Sequence, residues 1–232
     1  MALVTELIDN KKKNYKMYDI LKKQGVLPMI TTQIGIKAAE IILKSASDSG
    51  IKIIEFAARS TDAKEMFVKI LNFKKTNNLD IEIAIGTVLT ANDAEAYHKL
   101  GANCIVCPHT DPEIGNYCIK NKLYWIPAAA TLNEIIYANK LGAEIVKLFP
   151  ADKIGGPSYV KAIKAPLPYL KLMPSGGVTL DENNLKSWFD AGAVCVGIGS
   201  DLFPKETLSQ LDYNKSYEIF KKLIATVEKS RK

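Results

Sequence analysis

Eight short apolar runs rich in Ile and Val recur along the chain, and each gives way to a longer stretch with helical periodicity. The runs are Val26–Ile30, Ile51–Ala57, Ile81–Thr87, Asn103–Pro108, Tyr124–Ala130, Glu144–Pro150, Lys171–Gly177 and Ala193–Ser200. Runs this short and this continuously apolar suit strands buried on both faces. Between them, Ile36–Ser47, Ala63–Lys75, Ala91–Leu100, Thr131–Leu141 and Leu185–Ala191 place apolar residues at helical spacing. Gly50, Gly101, Gly142 and Gly192 stand just before the next strand, where a left-handed residue stops a helix. A strand–helix unit repeating every 20–30 residues or so is the βαβ crossover. Eight such units in 232 residues predict an α/β fold, a closed (β/α)8 TIM barrel forming a single domain over 1–232. Residues 2–24 read as an extra amphipathic N-terminal helix that closes the bottom of the barrel, and about 205–232 as a C-terminal helical region. An open doubly wound sheet is the runner-up fold, but its usual glycine fingerprint after the first strand is missing from Val26–Thr32.

Composition excludes several function classes. At 47% hydrophobic and 24% charged residues, the chain fits a globular protein with a sizeable core. No run approaches the 18 or so apolar residues of a membrane span, and Met1 to Asn10 carries acidic residues with no signal-peptide core. Four cysteines without a leader fit free thiols in a reducing, cytoplasmic setting. The net charge of +6 is spread over scattered lysines, with Lys11 to Lys13 the only run, so it reads as a solvated surface and not as a nucleic-acid footprint. Arginine is scarce: Arg59 and Arg231 stand against 29 lysines (31 − 2). An arginine kept in the body of such a chain raises the question of what needs its two-pronged donor geometry.

In a barrel, chemistry gathers at the C-terminal ends of the strands. Two ionisable residues lie inside apolar runs there, Glu55 in the second and Lys147 in the sixth, within Val146-Lys-Leu-Phe-Pro-Ala151. Desolvation favours the free amine of a buried lysine, and a free amine attacks a ketone to form an imine. Even-numbered strands share a layer of the bore, so Glu55 and Lys147 are expected to face each other as an acid–base pair. The bland alternatives are a buried ion pair, or a lysine turned toward the helices; Phe149 shares the parity of Lys147, while Val146 and Leu148 suit the helix side. Arg59, four residues beyond Glu55, is placed to clamp a carboxylate or simply to sit on the surface. Pro174-Ser-Gly-Gly177 and Gly197-Ile-Gly-Ser200 end the last two strands, where loops of this fold commonly bind phosphate. Gly86-Thr87 offers a further N–H and a hydroxyl. Cys104 and Cys107 face opposite sides of one strand and read as core, His98 falls on a helix, and His109 reads as the start of a loop. No metal-ligand cluster and no Ser–His–Asp arrangement is evident.

These residues, taken together, resemble the class I aldolases that cleave 2-keto-3-deoxy-6-phosphogluconate and 4-hydroxy-2-oxoglutarate. The most specific piece is Val146-Lys-Leu-Phe-Pro-Ala151. Ile54-Glu-Phe-Ala-Ala-Arg59, Gly86-Thr-Val-Leu-Thr90, Cys107-Pro108, Gly155-Gly-Pro157, Pro174-Ser-Gly-Gly-Val178 and Gly197-Ile-Gly-Ser200 support it, over about residues 20–225. The resemblance implies a cytoplasmic homotrimer of (β/α)8 barrels, with no cofactor and no metal, acting on a pyruvate-derived 2-oxo acid. By matching position, Lys147 forms the imine with pyruvate and Glu55 moves protons. Arg59 and Thr87 hold the pyruvate carboxylate, and Ser175, Gly176, Gly177, Gly199 and Ser200 bind a distal phosphate or equivalent anion. Pro108 and Phe149, in the same motifs, complete the substrate-binding set. No nucleic acid or membrane partner is expected.

The chain departs from the family's pattern at the far end of the substrate. Met29-Ile-Thr-Thr32 carries no cation where many members have arginine, and Thr31 takes that neighbourhood. Ala128 stands where glycine is usual, and Ala57 and Ala58 are smaller than the usual residues. Two other readings remain open at this level. One is a phosphate-binding barrel with isomerase or decarboxylase activity and no imine, and the other is a non-catalytic metabolite-binding barrel.

Overall fold

The apolar runs become parallel strands. The computed structural model describes residues 17–199, 201–204, 208 and 211–232. Their order is α1 (helical residues 17–24), β1 (Val26–Thr31), α2 (Ile36–Ser49), β2 (Ile53–Ala57), α3 (Ala63–Thr76), β3 (Glu82–Gly86), α4 (Ala91–Lys99), β4 (Cys104–Val106) and α5 (Pro112–Lys120). There follow β5 (Tyr124–Ile126), β6 (Ala128–Ala129), α6 (Leu132–Lys140), β7 (Val146–Leu148), α7 (Gly156–Lys164), β8 (Leu172–Pro174), α8 (Glu182–Asp190), β9 (Val196–Ile198) and α9 (Tyr213–Ser230). Helices α5 and α7 add to those read from periodicity. The part of the expected N-terminal helix before residue 17 lies outside the described residues, as do 205–207, 209 and 210 of the C-terminal region, where α9 begins only at Tyr213.

The strands form an α/β fold with two parallel sheets, ordered β5-β4-β3-β2-β1-β9 and β6-β7-β8. The run Tyr124–Ala130, expected as one strand, breaks at Pro127 into β5 and β6. Proline has no N–H to give a ladder, but its carbonyl still accepts from the Lys147 N–H at 2.8 Å. β5 therefore pairs with β4 and β6 with β7 on either side of the break. Between β8 and β9, Ser175 bridges Gly197 and the Val194 N–H donates to the Leu172 carbonyl at 3.0 Å.

Alternating side chains build two cores. Ile54, Phe56, Ile85, Val146, Leu148 and Leu172 pack outward against helix residues such as Ile42, Phe67, Ile135 and Leu185. The opposite faces of both sheets share a second cluster, with Leu27, Ile53, Tyr124, Ile126, Ile145 and Met173 among its members. Met17 and Leu21 of α1 join that inner cluster, so this helix covers its lower end. Arg231 holds α1 in place, donating to the carbonyls of Lys22 at 2.8 Å and Lys23 at 3.0 Å, oxygens that a helix end leaves unpaired. Cys104 lies in the inner cluster and Cys107 in the outer, and all four cysteines are free and buried.

Capping residues begin the helices just beyond the strand ends. Asp111 after β4 accepts from the N–H groups of Glu113 and Ile114 at 2.7 and 3.0 Å, ahead of Pro112, whose missing N–H costs nothing there. Thr90 caps α4, Thr131 and Glu134 form a reciprocal capping box on α6, and Asp181 caps α8. Glycines at the other helix ends take positive φ, as Gly50 and Gly142 do at 104° and 101°. The caps fix the loops at the C-terminal ends of the strands.

Candidate active site

Lys147 is the middle residue of β7. Val146 and Leu148 on either side belong to the outer core, which turns the lysine inward. Glu55 occupies the same kind of position in β2, between Ile54 and Phe56. The register sets an alanine on one side of each and a methionine on the other: Glu55 lies between Ala84 on β3 and Met29 on β1, and Lys147 between Ala128 on β6 and Met173 on β8. Lys147 Nζ stands 3.6 Å from Glu55 Oε2, with the residues only 6% and 3% exposed. That separation makes an ion pair but exceeds an ordinary hydrogen bond.

Gly86 explains how the carboxylate is seated. A Cβ at this position would overlap the Glu55 carboxylate, so the bare Cα is the floor on which it rests. The next residue, Thr87, takes φ +62°, a region that a β-branched side chain enters only at a cost and mostly at functional sites. Its Oγ1 lies 3.5 Å from Arg59 Nε, and Arg59 Nη2 lies 3.9 Å from the sulfur of Met29. The guanidinium thus spans the mouth from the end of β3 to β1. Phe149, 37% exposed, holds its ring centroid 5.6 Å from Lys147 Nζ, at cation–π distance.

The remaining expected residues lie around this centre. Pro108 is half-buried, two residues past the end of β4. The loop behind it is tied to β6, because the Ala128 N–H donates to the His109 carbonyl and Thr110 Oγ1 donates to the Ala128 carbonyl at 2.9 Å. His109 therefore serves this loop through its backbone. Ser175 is buried, donates its N–H to the Leu148 carbonyl at 2.9 Å, and packs its hydroxyl on Gly197. Gly176 and Gly177 have φ of +92° and +72° and lie against Ala151 and Asp152. Gly199 leaves room for the Met29 methyl group, and Ser200 lies outside the described residues.

Beside Arg59 opens a cavity of about 370 Å³, bordered by Met29, Thr31, Gln33, Ile34, Gly199, Phe203 and Leu208. Sequence reasoning named neither Ile34, Phe203 and Leu208 nor Asp152. Ile34 and Phe203 follow strand ends, so position marked them, but an apolar side chain carries no chemical signal of its own. No group of three His, Cys, Asp or Glu among the described residues is placed to hold a metal ion.

Comparison with known proteins bears on this arrangement. A family model described as "Aldolase: KDPG and KHG aldolase" matches residues 17–219. The 2-dehydro-3-deoxy-6-phosphogalactonate aldolase of Escherichia coli is 32% identical over 183 residues, covering 78% of this chain and 86% of that protein. The 2-dehydro-3-deoxy-phosphogluconate aldolase of Treponema pallidum is 27% identical over 199 residues, covering 86% of this chain and 91% of its own. A solved structure described as native KDPGal superposes with a TM-score of 0.77 at 25% identity, over 88% of this chain and 95% of that one. With the match spanning most of its length, the chain belongs to the KDPG and KHG aldolase family.

Proposed function

We propose that the protein is a class I aldolase, reversibly splitting a 2-oxo-4-hydroxy acid into pyruvate and an aldehyde through an imine on Lys147. The observation that carries this reading is the buried lysine facing a buried carboxylate at 3.6 Å in the space between the two sheets. Glu55 accepts the ammonium proton, and the freed Lys147 amine attacks the C2 carbonyl. Glu55 returns that proton to the carbinolamine hydroxyl, and loss of water gives a cationic imine that acts as an electron sink. Glu55 then takes the C4 hydroxyl proton, the C3–C4 bond breaks, and its electron pair runs into the imine to leave an enamine. Reprotonation at C3 and attack of water on the imine release pyruvate.

The other residues position the substrate. Arg59 and the Thr87 hydroxyl hold the pyruvate carboxylate, with the guanidinium fork supplying the charge. Phe149 and Pro108 flank the imine and limit water. Ser175, Gly176, Gly177 and Gly199, with Ser200 beyond, border the far end of the substrate.

The same reading takes the chain as a single domain whose two sheets join into one closed (β/α)8 barrel. The β8–β9 bridge at Ser175 and Gly197 and the passage of the chain from β5 to β6 through Pro127 support closure. It also makes the enzyme a homotrimer of the cytoplasm, for which light scattering should return three times the chain mass.

Pyruvate release from 2-keto-3-deoxy-6-phosphogluconate and from 4-hydroxy-2-oxoglutarate, read with a coupled dehydrogenase, tests the proposal. Release from at least one of them that disappears in Lys147→Arg supports it; undiminished turnover in that variant contradicts it, since arginine forms no imine.

A further inference from the structure

We propose that Met29 is a specificity-determining residue of this site, the side chain that gauges how large an aldehyde the enamine accepts; the inference rests on the aldolase reading above. β1 sets Val26 and Ile30 in the outer core and Leu27 in the inner one, so Met29 turns inward with Leu27. On one side the register places it opposite Glu55 of β2. On the other side Pro28 pairs with Ile198, the last residue of β9, which brings Met29 level with Gly199.

Both ends of the thioether have a contact. Its sulfur lies 3.9 Å from Arg59 Nη2, and its methyl group occupies the recess that the missing Cβ leaves at Gly199. The Gly199 backbone is not in the left-handed region, so its conformation suits any residue and what glycine provides there is space. A Cβ on Gly199 would overlap Met29 Cε, and the flexible end of the methionine would have to swing aside. The open space beside both residues is the cavity of about 370 Å³ that they border together with Arg59.

This puts Met29 between the two ends of the substrate. Arg59 takes the pyruvate carboxylate and Gly199 borders the far end, so C4 and the carbons beyond it run along the methionine. Ile34, Phe203 and Leu208 border the same cavity from segments beyond the strand ends, whereas Met29 is held by strand pairing on both sides. A wall carried by a strand is placed more precisely than one carried by a loop. One methylene in such a pocket changes discrimination by about 10-fold or more, and replacing Met29 by alanine removes everything past Cβ.

The experiment measures kcat/KM for glyoxylate and for D-glyceraldehyde 3-phosphate at saturating pyruvate, with adduct read by mass spectrometry, in the parent, Met29→Ala, Gly199→Ala and the double variant. Met29→Ala should move the ratio at least about tenfold toward the larger aldehyde. Gly199→Ala, by pushing the methionine into the cavity, should move it toward glyoxylate, and the double variant should return it at least to the parent value. A general loss of stability lowers both aldehydes alike and leaves the ratio where it was. A ratio unmoved by Met29→Ala overturns the inference, as does a shift in Gly199→Ala that the double variant fails to reverse, which would make Gly199 act on the ligand directly. Borohydride trapping of pyruvate on the parent protein separates the two levels. An adduct on Lys147 with an unmoved ratio removes this inference alone, and no adduct removes the aldolase reading with it.

Discussion

Lys147 and Glu55 stand 3.6 Å apart and are almost wholly buried, so deleting either one strands the other's charge in an apolar interior. Single replacement of Lys147 by Met or of Glu55 by Leu should cost about 3–5 kcal/mol in urea unfolding, whereas the double replacement should be neutral or more stable. Both single variants and the double should lose pyruvate turnover. A double variant as unstable as the singles would mean that the pair is retained for the fold. Glu55→Gln keeps the shape but cannot carry a proton, and should lower kcat by about 10²–10⁴-fold with the pyruvate KM little changed. Both charged residues were legible in the sequence, because an ionisable side chain inside an apolar strand has few reasons to be there. The role of Gly86 was not: that its bare Cα seats the Glu55 carboxylate depends on the β2–β3 register, and no local pattern encodes it.

At the scale of elements, the caps do for the loops what the register does for the strands. Glu134 accepts from the N–H groups of Ala130 and Thr131, both at 2.9 Å, and these bonds hold its carboxyl below the usual range. A carboxyl lowered on folding contributes stability that is fully present above its unfolded value, near 4.3 or so, and is lost as pH falls through the folded one. Glu134→Ala should therefore destabilise the protein at pH 7 by about 1 kcal/mol, and the gap from the parent should close by pH 2–3 or so. A gap independent of pH would show that the carboxylate is not what caps α6. Strand and helix order, with glycine stops, was readable from period and punctuation. The break at Pro127 was less so: the proline is visible in the sequence, but whether it ends a strand depends on whether a neighbouring strand needs an N–H at that position. Helices α5 and α7 are announced by Asp111-Pro112 and Gly156-Pro157 more than by their apolar spacing.

Over the whole molecule, the inner core is sealed from below by α1 and open above at the mouth held by Arg59 and Phe149. Leu21 is completely buried in that seal, so Leu21→Ala should cost about 2–5 kcal/mol, measured by chemical denaturation. The thiols report on the same integrity. Burial pushes Cys107, Cys118 and Cys195 up to about 12 and Cys104 well above its ordinary value, which leaves almost no thiolate at pH 8. Ellman's reagent should find no reactive thiol in the folded protein and all four in guanidinium. Family membership and the buried Lys147–Glu55 pair were within reach of the sequence; the cavity beside Arg59 was not, since it is assembled from β1, the turn after it and the segment after β9, residues far apart in the chain. The most direct test of the imine is reduction of the folded protein with borohydride in the presence of pyruvate, followed by peptide mass spectrometry. The account predicts one reduced pyruvyl group, confined to the peptide carrying Lys147 among 29 lysines (31 − 2); no adduct, or an adduct on any other lysine, would contradict it.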